Sequence, residues 1–211
     1  MKTYKNILVT TANSPYYYSL LTLINGVHTF GLDCVDQILV FNLGLDKTEL
    51  DVLKSLKNVS VVEYPKDYIE SHSHSLDPKS YMYKIFCLTH CKTMAENIFW
   101  LDAGATPINN MCGIYDLIEN DEIFMVGDIH LNRNYTHKTC STIMEATESE
   151  LNDTQLSAGI IGYKSGGKYE HIFDKAHEYS MKGCTIGHEV NHRNDQSVFS
   201  ILASRYSCPK Q

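Results

Sequence analysis

The chain of 211 residues carries 18 basic and 25 acidic side chains, a formal net charge of −7, and 43% of its residues are hydrophobic before its 12 glycines are counted. That apolar share is enough to bury a core without staples and excludes a mainly disordered chain. The acidic balance argues against a nucleic-acid binder, which needs a basic face; an anionic ligand stays open, provided that local charge opposes the global sign.

Seven cysteines, at 34, 87, 91, 112, 140, 184 and 208, cannot all pair within the chain. No C-x-x-C and no zinc-finger spacing occurs among them, so free thiols in a reducing compartment are expected. Residues 1–6 lead straight into a strand-like run without a signal-peptide core. No apolar stretch reaches the ~20 residues that span a bilayer. A soluble, cytoplasmic protein without a membrane span is the expectation, and the N-x-Ser/Thr triplets at Asn58, Asn134 and Asn152 then carry no weight.

In chain order, the β-branched run at 7–11 reads as a buried strand. Asn13-Ser14-Pro15 opens a helix over 16–28 that ends near Gly31. Strands at 37–42 and 59–63 flank a helix at 47–56 whose apolar positions are 50, 53 and 56. This alternation predicts an α/β fold with a mostly parallel sheet covered by helices, whose ligand rim lies at the carboxyl ends of the strands. Residues 67–80 read as irregular and include Ser71-His72-Ser73-His74-Ser75, either a metal-like pair of histidines or a solvated loop. A helix at 81–95 and a strand at 97–101 follow, the strand stopping at Asp102-Ala103-Gly104. Further on come a helix at 113–119, a strand at 122–126, a polar unpatterned stretch at 132–153 expected to be a mobile loop, a strand at 159–163, and helices at 168–181 and 195–204. No repeat or linker interrupts them, so one domain over 1–211 is expected, with a nucleotide-binding half at about 1–104 and a sugar and acceptor half at about 105–211.

Four runs hold residues suited to chemistry. The first is Phe99-Trp100-Leu101-Asp102-Ala103-Gly104, an apolar strand ending in a carboxylate at the ligand rim. There an aspartate positions a divalent cation or a ligand hydroxyl, or merely caps a turn. Mg²⁺ or Mn²⁺ would bridge it to a diphosphate and invert the local sign of charge. The second is His188-Glu189-Val190-Asn191-His192-Arg193-Asn194-Asp195-Gln196-Ser197, just before a helix: Arg193 suits a phosphate, Asp195 a general base, and His188 or His192 a metal ligand or base. Its plainer alternative is a solvated helix start capped by Asn194 or Asp195. In the third, Ser157-Ala158-Gly159 precedes a strand, where small residues admit close approach of a ligand or simply make a turn. Thr10-Thr11-Ala12-Asn13 with Tyr16-Tyr17-Tyr18 offers stacking and hydrogen bonds to a base and ribose, or a β-α turn with surface tyrosines. There is no G-x-G-x-x-G after the first strand, no Walker motif, no G-x-S-x-G and no H-E-x-x-H.

Taken in order, Thr10-Thr11-Ala12-Asn13, Lys84 on its helix, Trp100-Leu101-Asp102-Ala103-Gly104, Ser157-Ala158-Gly159-Ile160-Ile161-Gly162 and His192-Arg193-Asn194-Asp195-Gln196-Ser197 resemble nucleotide-sugar glycosyltransferases of the GT-A type. The similarity is greatest to chlorella-virus domains that open larger multidomain chains. The resemblance implies a GT-A-like domain that moves a hexose or deoxyhexose from a UDP-sugar to a glycan acceptor hydroxyl with Mn²⁺ or Mg²⁺. Thr10, Thr11, Ala12, Asn13, Tyr17, Lys84, Asp102 and Ala103 would bind the nucleotide; Ser157, Ala158, Gly159 and Arg193 would face the donor sugar. Asp102 and His188 would hold the metal, and Asp195, then Asp128, would serve as base. The family's Asp-x-Asp is incomplete here, since its third position is Gly104. A sugar-phosphate nucleotidyltransferase is the second reading, although residues 10–15 lack its glycine-rich basic loop. The third is a non-catalytic nucleotide- or glycan-binding module.

Overall fold

The computed structural model describes residues 2–71, 76–186 and 192–211. The chain runs β1 (Tyr4–Ala12), a 3-10 turn (Ser14–Tyr16), α1 (Tyr17–Phe30), β2 (Gln37–Asn42), α2 (Lys47–Ser55), β3 (Val59–Val62), α3 (Lys66–Ser71), α4 (Met82–Cys91), β4 (Ala95–Leu101), α5 (Cys112–Asp121) and β5 (Ile123–Leu131). It continues with α6 (Asn132–Tyr135), α7 (Lys138–Ile143), α8 (Glu148–Asn152), β6 (Thr154–Lys164), α9 (Glu170–Met181) and α10 (Asn194–Arg205). Among the described residues the six strands form one sheet in the order β3-β2-β1-β4-β6-β5. β1, β2, β3 and β4 are mutually parallel, and β6 runs antiparallel to both β4 and β5.

The strand sequences follow from burial on both faces, which favours near-continuous apolar runs over alternation. In β1, Ile7 and Val9 point into a core shared with α4, α9 and α10, whereas Leu8 and Ala12 point into a second core with α1 and α5. α1 opens behind Pro15, whose fixed φ suits a helix start. It stops at Gly31, where a β-carbon would strike the side chain of Met111. α2 is started by a capping box in which Asp46 and Glu49 exchange backbone and side-chain bonds.

Three expectations change. Residues 66–71 are helical rather than irregular. The stretch expected to be a mobile loop holds α6, α7 and α8. Cys140 and Met144 tie it to the core, and polar contacts that leave no apolar period complete its order. Thr147 and Glu150 form a capping box, Asn132 donates to the Glu150 carbonyl at 2.8 Å, and the Arg205 guanidinium grips both Glu150 oxygens at 2.6 and 3.2 Å. Lastly, not all thiols are free: Cys34 and Cys112 are joined in a disulfide between the end of α1 and the start of α5, while Cys87, Cys91, Cys140, Cys184 and Cys208 are free and buried. Among the described residues, no helix is long and apolar enough to cross a membrane.

Burial alone would raise the Glu150 carboxyl, but the Arg205 and Thr147 hydrogen bonds hold it below the usual glutamate value. Such a depressed group stabilises the fold above its unfolded pKa, and the contribution disappears as pH falls through the folded value. Arg205→Met is therefore expected to cost about 3 kcal/mol in urea unfolding at pH 7. The deficit should shrink below about pH 4, and a deficit independent of pH would contradict this account.

Candidate active site

Parallel pairing brings the ends of β1 and β4 to one rim, and antiparallel β6 delivers the middle of its own strand to the same place. The Asp102 N–H donates to the Gly159 carbonyl at 2.9 Å. Two adjoining cavities open there. One is lined by Thr11, Ala12, Asn13, Tyr16, Leu43, Pro78, Tyr81, Tyr83, Trp100, Asp102, Ala103 and Gly104. The other is lined by Tyr81, Lys84, Asp102, Ala158, Gly159, His192, Arg193, Asn194, Asp195 and Gln196. They share Tyr81 and Asp102, so the carboxylate stands where an aromatic recess meets a polar one.

Lys84 organises the second recess. Its side chain is 2% exposed, and its ammonium lies 3.1 Å from Asp102 Oδ1, 2.9 Å from Asp195 Oδ2 and 3.1 Å from the Ala158 carbonyl. The ammonium donates a hydrogen bond to the Ala158 carbonyl, while the two carboxylates stand at ion-pair distance. Burial would lower the Lys84 pKa, but the Asp195 and Asp102 carboxylates more than reverse this and hold it above the ordinary lysine value. Asp195, also buried, has its carboxyl pushed up by burial against the pull of Lys84.

Asp102 receives a second bond on the same oxygen. The Trp100 indole N–H donates to Oδ1 at 2.6 Å, since residues two apart on a strand share a face. Asp102 is nevertheless 45% exposed, and a β-carbon on Gly159 would lie 2.9 Å from its Oδ2. Glycine is thus what leaves that oxygen room. On the far wall Arg193 donates to Asp128 Oδ2 at 2.7 Å and lies 3.9 Å over the Tyr135 ring. Burial raises the Asp128 carboxyl, but the Arg193 and Ile129 hydrogen bonds leave it below its ordinary value. Tyr81 and Asn194 both adopt left-handed backbone conformations, with φ of 52° and 43°. Such strain in a tyrosine costs roughly 1–2 kcal/mol and gathers at functional sites.

Of the residues singled out from sequence, Thr11, Ala12, Asn13, Lys84, Asp102, Ala103, Ala158, Gly159, Arg193 and Asp195 line the cleft. Thr10 is fully buried in the sheet, and Tyr17 packs in the core, with Tyr16 lining the recess in its place. The 3-10 turn sets this phase; a helix counted from residue 16 misplaces it. Ser157 is half-buried and lines neither recess, and Asp128 reaches the site only through Arg193. His188, like His72 and His74, lies outside the described residues. His192 accepts the His137 N–H on Nδ1 and pairs with the Cys184 carbonyl through Nε2, so both ring nitrogens are engaged by the protein backbone. Among the described residues, no three His, Cys, Asp or Glu side chains are grouped to hold a metal. Sequence reasoning missed Tyr81, Tyr83 and the Trp100 bond and gave Gln196 no role of its own; only the Trp100 bond had a signal, its two-residue spacing from Asp102.

No protein-family model and no curated protein sequence matches the chain. Solved structures do. The bifunctional glycosyltransferase WbbM aligns with TM-score 0.63 and 12% identity over 94% of this chain. The galactosyltransferase LgtC, in complex with donor and acceptor sugar analogues, gives 0.60 and 13% over 94% of this chain and 70% of its own. The mannosyltransferase Ktr4p of S. cerevisiae, in complex with GDP, gives 0.63 and 11% over 95% of this chain and 66% of its own. The fold is that of the GT-A glycosyltransferases. The chain spans 37% of the length of WbbM.

Removing Lys84 would leave two carboxylates facing each other without their cation. Lys84→Met is expected to destabilise the protein by about 3–5 kcal/mol, read as a lower urea midpoint. An unchanged midpoint would show that the three contacts do not hold the rim together.

Proposed function

We propose that the protein is a glycosyltransferase that moves a hexose or deoxyhexose from a UDP-sugar to an acceptor hydroxyl of a glycan, assisted by a divalent cation, as one catalytic domain of a longer chain. The observation that carries this reading is the place of Asp102, between the recess formed by Thr11, Ala12, Asn13, Tyr16, Tyr81 and Tyr83 and the one formed by Ala158, Gly159 and Arg193. A nucleoside fits the first by stacking on tyrosine, the sugar fits the second against small residues, and the diphosphate linking them passes the carboxylate.

The donor set fits a cation of the Mg²⁺ or Mn²⁺ type. Asp102 Oδ2 is kept open by the missing β-carbon of Gly159, and such ions are commonly held by one or two carboxylates together with substrate phosphates. Asp102 is the residue that would hold it. The cation Lys84 with Arg193 faces the three carboxylates of Asp102, Asp128 and Asp195, so the cleft is itself net negative and a diphosphate needs an added positive charge. When bound, the cation would supply charge stabilisation to the departing diphosphate.

The chain's own residues then divide the work. Lys84 and Asp195 fix the rim rather than touch the donor, since each spends its charge on the other. Arg193, oriented by Asp128 and Tyr135, supplies fixed positive charge in the sugar recess. Asp195 is buried against Lys84 and Asp128 is engaged by Arg193 and the Ile129 N–H, so either carboxylate would have to give up its partner to take an acceptor proton in an inverting reaction.

Asp102→Asn is expected to lower UDP-sugar turnover at least about a hundredfold while UDP binding, by calorimetry without metal, persists. Unchanged turnover would overturn the assignment. Turnover of a nucleoside triphosphate with a sugar phosphate would favour a nucleotidyltransferase, and binding without hydrolysis or transfer a binding module. A side chain at Gly104 meets open space, so Gly104→Asp should tighten Mn²⁺ binding in the presence of UDP by about tenfold; unaltered Mn²⁺ affinity would count against a cation at Asp102.

A further inference from the structure

In a site where one carboxylate oxygen faces the donor, what matters is which oxygen that is and how firmly it is aimed. Asp102 Oδ1 is occupied twice, by Trp100 Nε1 at 2.6 Å and by Lys84 Nζ at 3.1 Å. The backbone on either side is tied down as well, with the Asp102 N–H on the Gly159 carbonyl and the Ala105 N–H on the Asp102 carbonyl. The carboxylate plane is thereby fixed, and Oδ2 is the oxygen left toward Gly159 and the cleft. Trp100 is itself 1% exposed, so the indole is held by packing, and the Lys84 ammonium lies 5.5 Å from its ring centre. No neighbouring acid at position 104 shares the task, since that residue is glycine.

We infer that Trp100 is a positioning residue for the donor-bound cation: its indole N–H holds Oδ1 so that Oδ2 is the oxygen that would hold the cation. The inference rests on the donor reading proposed above. It assigns the core tryptophan a part that packing alone would not require. Partners that orient a metal-ligating group typically set metal affinity by ten- to a hundredfold. Trp100 is also the only tryptophan of the chain, so its emission reports on the Asp102 carboxylate without background from other sites.

The test uses the full chain, Mn²⁺ and UDP. Free Mn²⁺ is counted by electron paramagnetic resonance, UDP binding by calorimetry with and without metal, and tryptophan emission is followed in parallel. In the wild type, Mn²⁺ added with UDP should quench the emission, and Asp102→Asn should remove the quenching. Trp100→Phe, which deletes the N–H and keeps an aromatic ring, should weaken Mn²⁺ binding by about tenfold or more when each variant is held at a UDP concentration that saturates it. Mn²⁺ affinity equal to wild type in Trp100→Phe overturns the role. So does wild-type binding of both ligands with unaltered emission, or quenching that survives in Asp102→Asn; these two arms decide the matter if Trp100→Phe does not fold. A wild type that binds no UDP overturns the donor reading itself, an outcome distinct from a wild type that binds UDP and Mn²⁺ without involving Trp100.

Discussion

The Lys84 ammonium is sealed from water, and its charge must be met by the protein. Asp102 at the end of β4 and Asp195 in the first turn of α10 stand at ion-pair distance, and the Ala158 carbonyl of β6 accepts a hydrogen bond. A buried cation left without opposite charge is among the costliest faults a core can hold, so α4, β4, β6 and α10 are held in register by this one ammonium. The cleft is the space that remains when they are.

That demand also divides the carboxylates by role. Asp195 stands inside the protein and neutralises Lys84. Asp102 stands half outside, giving one oxygen to the interior and turning the other to the cleft. Asp128, on the edge strand β5, is anchored differently, by Arg193 ahead of α10. Three acids within one site thus differ in exposure and partner, and such differences in surroundings let a single residue type serve distinct ends.

Much of this was legible in the sequence because burial writes itself plainly. The apolar runs of β1, β2 and β4 and the helical periods between them gave the sheet, and Asp102 at the end of an apolar strand marked the rim. The small residues Ala158 and Gly159 and the charged run at Arg193 and Asp195 also fell where the cleft formed. What stayed hidden were pairings between distant residues, which leave no local period: Lys84 with Asp195, Cys34 with Cys112, Arg205 with Glu150. The last of these organises a polar stretch that looks like loop when only hydrophobicity is weighed. Tyr17 was placed in the recess and Tyr16 is found there, because one turn of 3-10 helix changes the phase of the tyrosine run.

β6 runs antiparallel, with Ile160 opposite Leu101 and Ile161 opposite Trp100, and it is from this strand that Gly159 makes room for Asp102. Side chains alternate faces along a strand, so a shift of one residue would move Gly159 away and put a β-carbon against the carboxylate. The Gly159 side of the cleft can therefore diverge between descendants of this chain only by exchange of side chains in place. Lengthening or shortening β6 ahead of this point would dismantle the site while leaving the sheet intact, and lineages that keep the activity should show substitutions there but no gaps.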